Sequence, residues 1–114
     1  MNLLSGEGLT WRETHYGRGA IVASQPGFEI VWIYKDQEPI DPSLITMDVD
    51  DVIVVLQGGL KLELRASDPQ DVVLAPGDAF IIPASVPFRG YRYPRDQAQP
   101  TIFIAAYRKQ EASA

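Results

Sequence analysis

Residues 76–88 read PGDAFIIPASVPF and combine a tight turn, a short apolar run and a proline. Pro76 fixes φ at the second position of a turn, and Gly77 accepts the positive φ that the third position of a type II turn requires. The apolar run Ala79–Ile82 follows directly, and another begins at Phe88. Short apolar runs bounded by turn residues are typical of β-strands, so this segment predicts an all-β protein.

A second informative segment lies upstream, where residues 51–58 read DVIVVLQG and residues 60–65 read LKLELR. The strict alternation of apolar and charged residues in 60–65 predicts a strand with one buried face and one solvated face. Gly58 and Gly59 separate the two runs, and two-residue hairpin turns favour glycine because they need positive φ. We therefore expect a β-hairpin at this point.

Short β-branched and aromatic runs continue along the whole chain, with nine glycines and nine prolines interspersed among them. None of the runs has helical periodicity. Many short strands without helices favour a sandwich or a barrel, and a chain of 114 residues is expected to form one domain, with a frayed tail at 110–114. The predicted strands are 9–15, 20–24, 28–34, 43–49, 52–57, 60–65, 72–74, 79–82, 88–93 and 101–108.

These segments resemble the two conserved motifs of the cupin superfamily. Residues 76–88 are similar to the second motif, with its turn glycine at Gly77, its proline at Pro83 and a small residue at Ser85. Residues 51–58 are similar to the end of the first motif, in which an acidic residue precedes a short apolar run and a glycine. The resemblance covers about residues 44–92. It implies a cupin double-stranded β-helix, a jelly-roll barrel with little or no helix, as a single domain over residues 1–114.

The resemblance also implies where a metal would bind, because cupins place histidines and an acidic residue around a metal inside the barrel. In this sequence the histidine positions fall on Ile45, Met47 and Phe88, or on near neighbours of the first two, and Asp51 alone keeps a donor group. One carboxylate and a phenyl ring do not hold a divalent cation. We therefore expect no metal and no other cofactor, and an apolar pocket with one carboxylate in their place.

Strand alternation around Asp51 gives the other candidate site residues. Asp51 has the parity of Ile53 and is expected to point into the barrel, where a buried carboxylate must be paired or protonated. Arg92 shares a strand face with Phe88 and is the expected partner of Asp51 or of an anionic ligand. The catalytic candidates are Asp51 and the lone histidine, His15, if the first strand folds over the barrel mouth. The predicted ligand-binding residues are Ile45, Met47, Asp51, Phe88 and Arg92.

Residues 28–34, FEIVWIY, are apolar on both strand faces. A strand of this kind is buried on both sides or covered by a partner. Small cupins are commonly dimers, so this pattern and the resemblance together predict a homodimer. Glu29 is then a candidate interior carboxylate, with a surface position as the alternative.

Charge and hydropathy exclude several classes of partner. A net charge of −5 disfavours nucleic-acid binding, because phosphate neutralisation needs clustered Lys and Arg. No apolar stretch approaches the roughly 18–20 residues of a membrane span, and the chain starts without a basic, apolar signal sequence. Together with the absence of cysteine, these features predict a cytoplasmic protein that binds neither nucleic acid nor membrane.

Three functions remain open at this point. The first is binding of a small molecule in an apolar barrel interior, with Asp51 and Arg92 as polar anchors. The second is a metal-independent isomerase, lyase or cyclase that uses Asp51 with His15 or Arg92. The third is a non-catalytic structural or assembly module with a filled barrel. An interior space smaller than about one water molecule would contradict both ligand-based functions.

Overall fold

The apolar runs form β-strands in a computed structural model that describes residues 9–14, 17–35, 44–66 and 68–109. The residues in these ranges form nine strands and no helix. The predicted all-β class is therefore confirmed for this part of the chain. The strands are β1 (Arg12–Thr14), β2 (Gly17–Gln25), β3 (Phe28–Lys35), β4 (Asp51–Gln57), β5 (Leu60–Leu64), β6 (Gln70–Leu74), β7 (Ala79–Ile82), β8 (Phe88–Arg92) and β9 (Thr101–Arg108).

The strands build two antiparallel sheets. The large sheet has the order β1-β2-β3-β9-β4-β7, and the small sheet has the order β6-β5-β8. The longest uninterrupted pairing joins β3 to β9, from Phe28 opposite Arg108 to Lys35 opposite Thr101. Because β9 also pairs with β4, β9 lies in the middle of the large sheet.

The inner faces of the two sheets pack together to form the core. On β5 the leucines at 60, 62 and 64 are buried while Lys61 and Glu63 are partly exposed, as the alternation predicted. Leucines of the small sheet meet residues such as Ile53, Val55 and Phe103 from the large sheet. This burial supplies the hydrophobic stabilisation of the fold.

The large sheet is also apolar on its outward side. Outward residues of β4 pair with outward residues of β9 and β7, as in Val54 opposite Ile104 and Val52 opposite Ile81. Ile81 is 58% exposed. The outward side of β4, β7 and β9 is therefore apolar as well. We call the outward residues Val52, Val54, Ile81, Ile104 and Ala106 the outer patch.

The predicted turn at Pro76-Gly77 is present and joins the two sheets. Gly77 has a φ of 91°, and the amide of Asp78 donates to the carbonyl of Ala75 at 2.9 Å, which closes the turn. The turn carries the chain from β6 in the small sheet to β7 in the large sheet. This local prediction succeeded because the φ requirements of the two turn residues are set by their own chemistry.

The hairpin predicted at Gly58-Gly59 is wrong. β4 pairs with β7 and β9, whereas β5 pairs with β6 and β8, so the two glycines connect different sheets. Gly58 has a φ of 72°, which fits a glycine. At Gly59 the reason is steric, because a Cβ atom there would lie 2.0 Å from the carbonyl oxygen of Tyr93.

The strand predicted at 43–49 is also wrong for its described part, residues 44–49. Ile45 makes an isolated bridge to Phe88, with both N–O distances at 2.8 Å. The carbonyl of Met47 then accepts from the amide of Ser85 at 2.7 Å, in a turn where Ser85 has a φ of 68°. Because the hydrogen bond of Met47 goes to a turn and not to β8, the pairing that starts at Ile45 and Phe88 does not continue. The segment therefore runs beside β8 without forming a strand.

In the described ranges, none of the elements is a helix long and apolar enough to cross a membrane.

Candidate functional site

The inner faces of the sheets line an open cavity of about 580 Å³. This is far larger than one water molecule and lies within the usual size range of small-molecule pockets. The interior of the barrel is therefore not filled by its own side chains. Most of the lining is apolar and includes Val31, Ile33, Ile53, Leu62, Phe103 and Ala105.

The four positions that the cupin resemblance assigns to metal ligands all line this cavity. Ile45 and Met47 come from the irregular segment 44–49, Phe88 from the start of β8 and Asp51 from the start of β4. The bridge between Ile45 and Phe88 holds the segment against the small sheet. The structure thus brings the predicted pocket residues together, with the exception of Arg92.

Asp51 is the unusual group of the cavity. It is 5% exposed, and its Oδ1 atom has no hydrogen-bond partner among the described residues. The salt bridges between described residues join Arg65 and Arg89 to acidic groups of the small sheet, and Asp51 is in none of them. Burial raises the pKa of the Asp51 carboxyl to about 7. The group therefore changes charge near neutral pH.

A tyrosine–glutamate pair lies beside Asp51. Tyr107 on β9 is directly opposite Asp51 on one side and Glu29 of β3 on the other. The Tyr107 hydroxyl donates a hydrogen bond to the Glu29 carboxylate, and Tyr107 also lines the cavity. Burial, this hydrogen bond and the nearby charges of Glu29 and Asp51 raise the pKa of the phenol above its ordinary value. This end of the cavity is consequently acidic.

Tyr107 was missed at the sequence level, although a signal for it exists. Tyr107 shares strand parity with Phe103 and Ala105, so alternation along the strand places it on the same face as these two apolar residues. Its position opposite Asp51 depends on the pairing of β9 with β4, which joins distant segments of the chain. Glu29, expected as an interior carboxylate, is partly buried and bonded to Tyr107.

Arg92 has a different position from the one expected. It is buried on the face of Phe88, as its spacing implied, but its guanidinium donates to the carbonyls of Gln97 at 3.1 Å and Arg95 at 2.8 Å. It does not line the cavity, and its predicted pairing with Asp51 is absent. The reason is that the loop after β8 turns back and supplies the carbonyl oxygens that satisfy the guanidinium.

His15, the other catalytic candidate, lies outside the described residues, as does the tail at 110–114.

Lys35 lines the opposite end of the cavity from Asp51. It is paired with Thr101 at the start of β9 and is 1% exposed.

Comparison with known proteins bears on the fold. No family model matches the sequence. No curated protein matches it either. Solved structures do match: KdgF from a Halomonas species is 21% identical with a TM-score of 0.71, over 90% of this chain and 89% of that chain. An RmlC-like cupin from Shewanella frigidimarina is 18% identical with a TM-score of 0.72, over 92% of this chain and 87% of that chain. The chain has the cupin fold.

A third similar structure is a cupin superfamily protein from Desulfitobacterium hafniense, 15% identical with a TM-score of 0.65, over 81% of this chain and 76% of that chain. At such identities the likeness concerns the fold alone, since one fold carries many functions. The jelly-roll architecture implied by residues 51–58 and 76–88 is thereby confirmed.

The cupin metal position does not fit a divalent cation in this chain. Its side chains are those of Ile45, Met47 and Phe88 with the single carboxylate of Asp51. In the described part of the chain, no three or more His, Cys, Asp or Glu side chains come together in a way that could hold a metal. Divalent cations need several oxygen or nitrogen donors, so these residues form an apolar wall around one acid instead.

Proposed function

We propose that this protein binds a small molecule inside the barrel without a metal ion at the cupin position. The observation that supports this function is the cavity of about 580 Å³, apolar except for a few polar groups at its ends. Small-molecule sites usually have this composition, since the apolar wall supplies affinity and the polar groups supply orientation. Asp51, with its unpartnered Oδ1 atom, is the proposed polar anchor.

Filling the cavity is expected to abolish ligand binding. Ala105 lies on the inner face of β9, is 5% exposed and lines the cavity. Ala105→Leu adds a larger side chain to this space and is expected to weaken binding of the uncharged fluorophore N-phenyl-1-naphthylamine about 10-fold or more. Fluorescence titration of the purified protein measures this affinity.

Ala66→Leu is the control, because Ala66 is exposed and lies outside both the cavity lining and the outer patch. It is expected to bind the fluorophore as the unchanged protein does. Equal affinities for the two variants, with both folded by circular dichroism, would show that the fluorophore binds outside the barrel and would refute the proposal.

Metal analysis tests the second half of the proposal. The purified protein is expected to carry no stoichiometric iron, zinc or manganese, because Asp51 is the single carboxylate donor at the cupin position. Finding one of these metals in the protein, and losing it in Asp51→Asn, would overturn the proposed metal-independent site.

We also propose that two copies associate through the outer patch, because an apolar patch can cover its own copy across a two-fold axis. Sedimentation is expected to show a dimer, with Ile81→Asp shifting it to monomer. Val73→Asp is the control, since Val73 is 53% exposed, close to the 58% of Ile81, but lies on the small sheet. Monomers at every concentration, or equal effects of the two variants, would contradict the proposal.

A further inference from the structure

Asp51 faces the cavity without a partner of opposite charge. A buried carboxylate is costly unless it is paired, and the chain supplies no such pairing from its described residues. The polar side chain whose parity suggested a pairing, Arg92, is bonded to backbone carbonyls outside the cavity. Lys35 is the cationic residue of the cavity lining, but it lies opposite Thr101, at the other end of β9 from the residue that pairs with Asp51. A ligand is therefore the source of positive charge that could reach Asp51.

The surroundings of Asp51 add to the negative potential. Tyr107 on the neighbouring strand β9 lies opposite Asp51. Its hydroxyl donates a hydrogen bond to the Glu29 carboxylate on β3. On the other side, β7 contributes the apolar Ile82. The nearby segment 44–49 contributes only uncharged side chains to the cavity wall, at positions 45–47. An anionic group at this end would meet the Asp51 carboxylate, with Glu29 behind Tyr107, whereas a cationic group would meet favourable charge.

Aromatic rings complete the surroundings. Tyr107 is next to Asp51, and Phe88 and Phe103 also line the cavity. Aromatic faces attract organic cations, and the attraction grows when water is excluded. Most of the rest of the wall is apolar and suits an apolar body, with Lys35 and Thr46 as its other polar residues.

We propose that the cavity selects organic ammonium ions, with the ammonium group bound to Asp51 and an apolar body in the barrel. This inference rests on the proposed ligand-binding function and names its ligand class. The ammonium would donate to the unpartnered Oδ1 atom, and the apolar body would contact the aromatic and aliphatic lining.

A matched series of three compounds tests the inference: 4-phenylbutylamine, 4-phenylbutanol and 4-phenylbutyrate, which share one apolar body. Isothermal titration calorimetry at pH 8 is expected to give an affinity for the amine about 10-fold or more above that for the alcohol, since hydrogen bonds to charged groups are stronger than those between neutral groups. The carboxylate compound is expected to bind more weakly than the alcohol.

The charge state of Asp51 gives a second, independent readout on the unchanged protein. Because the pKa of Asp51 lies near 7 while alkylamines stay protonated well above that, amine affinity is expected to rise between pH 5 and pH 8 and then level. Below pH 7 amine binding is expected to release a proton from Asp51. Calorimetry in buffers of different ionisation enthalpy detects this proton.

Asp51→Asn is expected to abolish the preference for the amine over the alcohol. Asp68→Asn, which changes an exposed carboxylate, is expected to keep the preference. Alcohol binding equal to or tighter than amine binding in the unchanged protein would overturn the ammonium inference and leave the binding function standing. Failure of all three compounds while the fluorophore still binds in the barrel would overturn the inference alone; failure of the fluorophore as well would overturn both proposals.

Discussion

Replacing Asp51 with asparagine is expected to remove a large loss of stability that the protein undergoes between pH 4 and pH 7. Burial raises the pKa of Asp51 from 3.8 to about 7 in the folded state. Between these values the folded protein holds a proton that the unfolded chain has released, so the free energy of unfolding falls as pH rises. The full shift corresponds to a loss on the order of 4 kcal/mol.

The direction in which the free energy of unfolding changes with pH follows from the two limits of the Asp51 titration. At low pH the carboxyl is protonated in both states, so it has no effect on the pH dependence. Above about 7 it is ionised in both states, and the cost of burying its charge is complete and constant. Glu63 acts in the opposite direction, because its hydrogen bond to Arg89 lowers its pKa and stabilises the folded state above its ordinary titration range. Comparison between variants is therefore needed to isolate Asp51.

Urea denaturation at pH values from 4 to 8 measures the effect in the unchanged protein and in Asp51→Asn. The difference in unfolding free energy between the two proteins is expected to move by a few kcal/mol in favour of the variant as pH rises. Asp68→Asn, an exposed change of the same chemistry, is expected to run parallel to the unchanged protein. A pH-independent difference for Asp51→Asn would mean that Asp51 is not desolvated in solution.

Local pattern was enough to predict most strands and the turn at Gly77. At residues 60–65 every second side chain is apolar, and this period alone fixes which leucines are buried. The predicted position of Asp51 on the inner face follows from the same rule, because it shares parity with Ile53 and Val55. Motif spacing placed Ile45, Met47 and Phe88 at the same wall of the barrel, since those positions converge in the cupin fold.

Features that depend on long-range pairing could not be predicted in this way. Tyr107 meets Asp51 because the last strand inserts between β3 and β4, and no local period of the sequence encodes that order. Arg92 was predicted to pair with Asp51 on parity alone. Its guanidinium instead donates to the carbonyls of Arg95 and Gln97, in the loop that follows β8. Parity predicts the face of a side chain and does not predict its partner.

Gly59→Ala is expected to destabilise the protein by about 3 kcal/mol or more, at the upper end of what overpacking usually costs. The added Cβ would lie 2.0 Å from the carbonyl oxygen of Tyr93, which is backbone and cannot rotate away. Two hydrogen bonds hold the same contact in place: the amide of Tyr93 donates to the carbonyl of Gly59 at 3.1 Å, and the hydroxyl of Thr101 donates to it at 2.6 Å. Relief of the clash would therefore break a bond at the end of the small sheet and the bond that ties Gly59 to Thr101 of the large sheet.

Gly27→Ala is the matched control, because a Cβ at Gly27 would have no heavy atom within 4 Å and its φ is not in the left-handed region. Removing a glycine at such a site usually changes stability by less than about 1 kcal/mol, often in the stabilising direction. Urea denaturation of both variants measures the contrast. If Gly59→Ala lost no more stability than Gly27→Ala, the close approach of Tyr93 would be wrong.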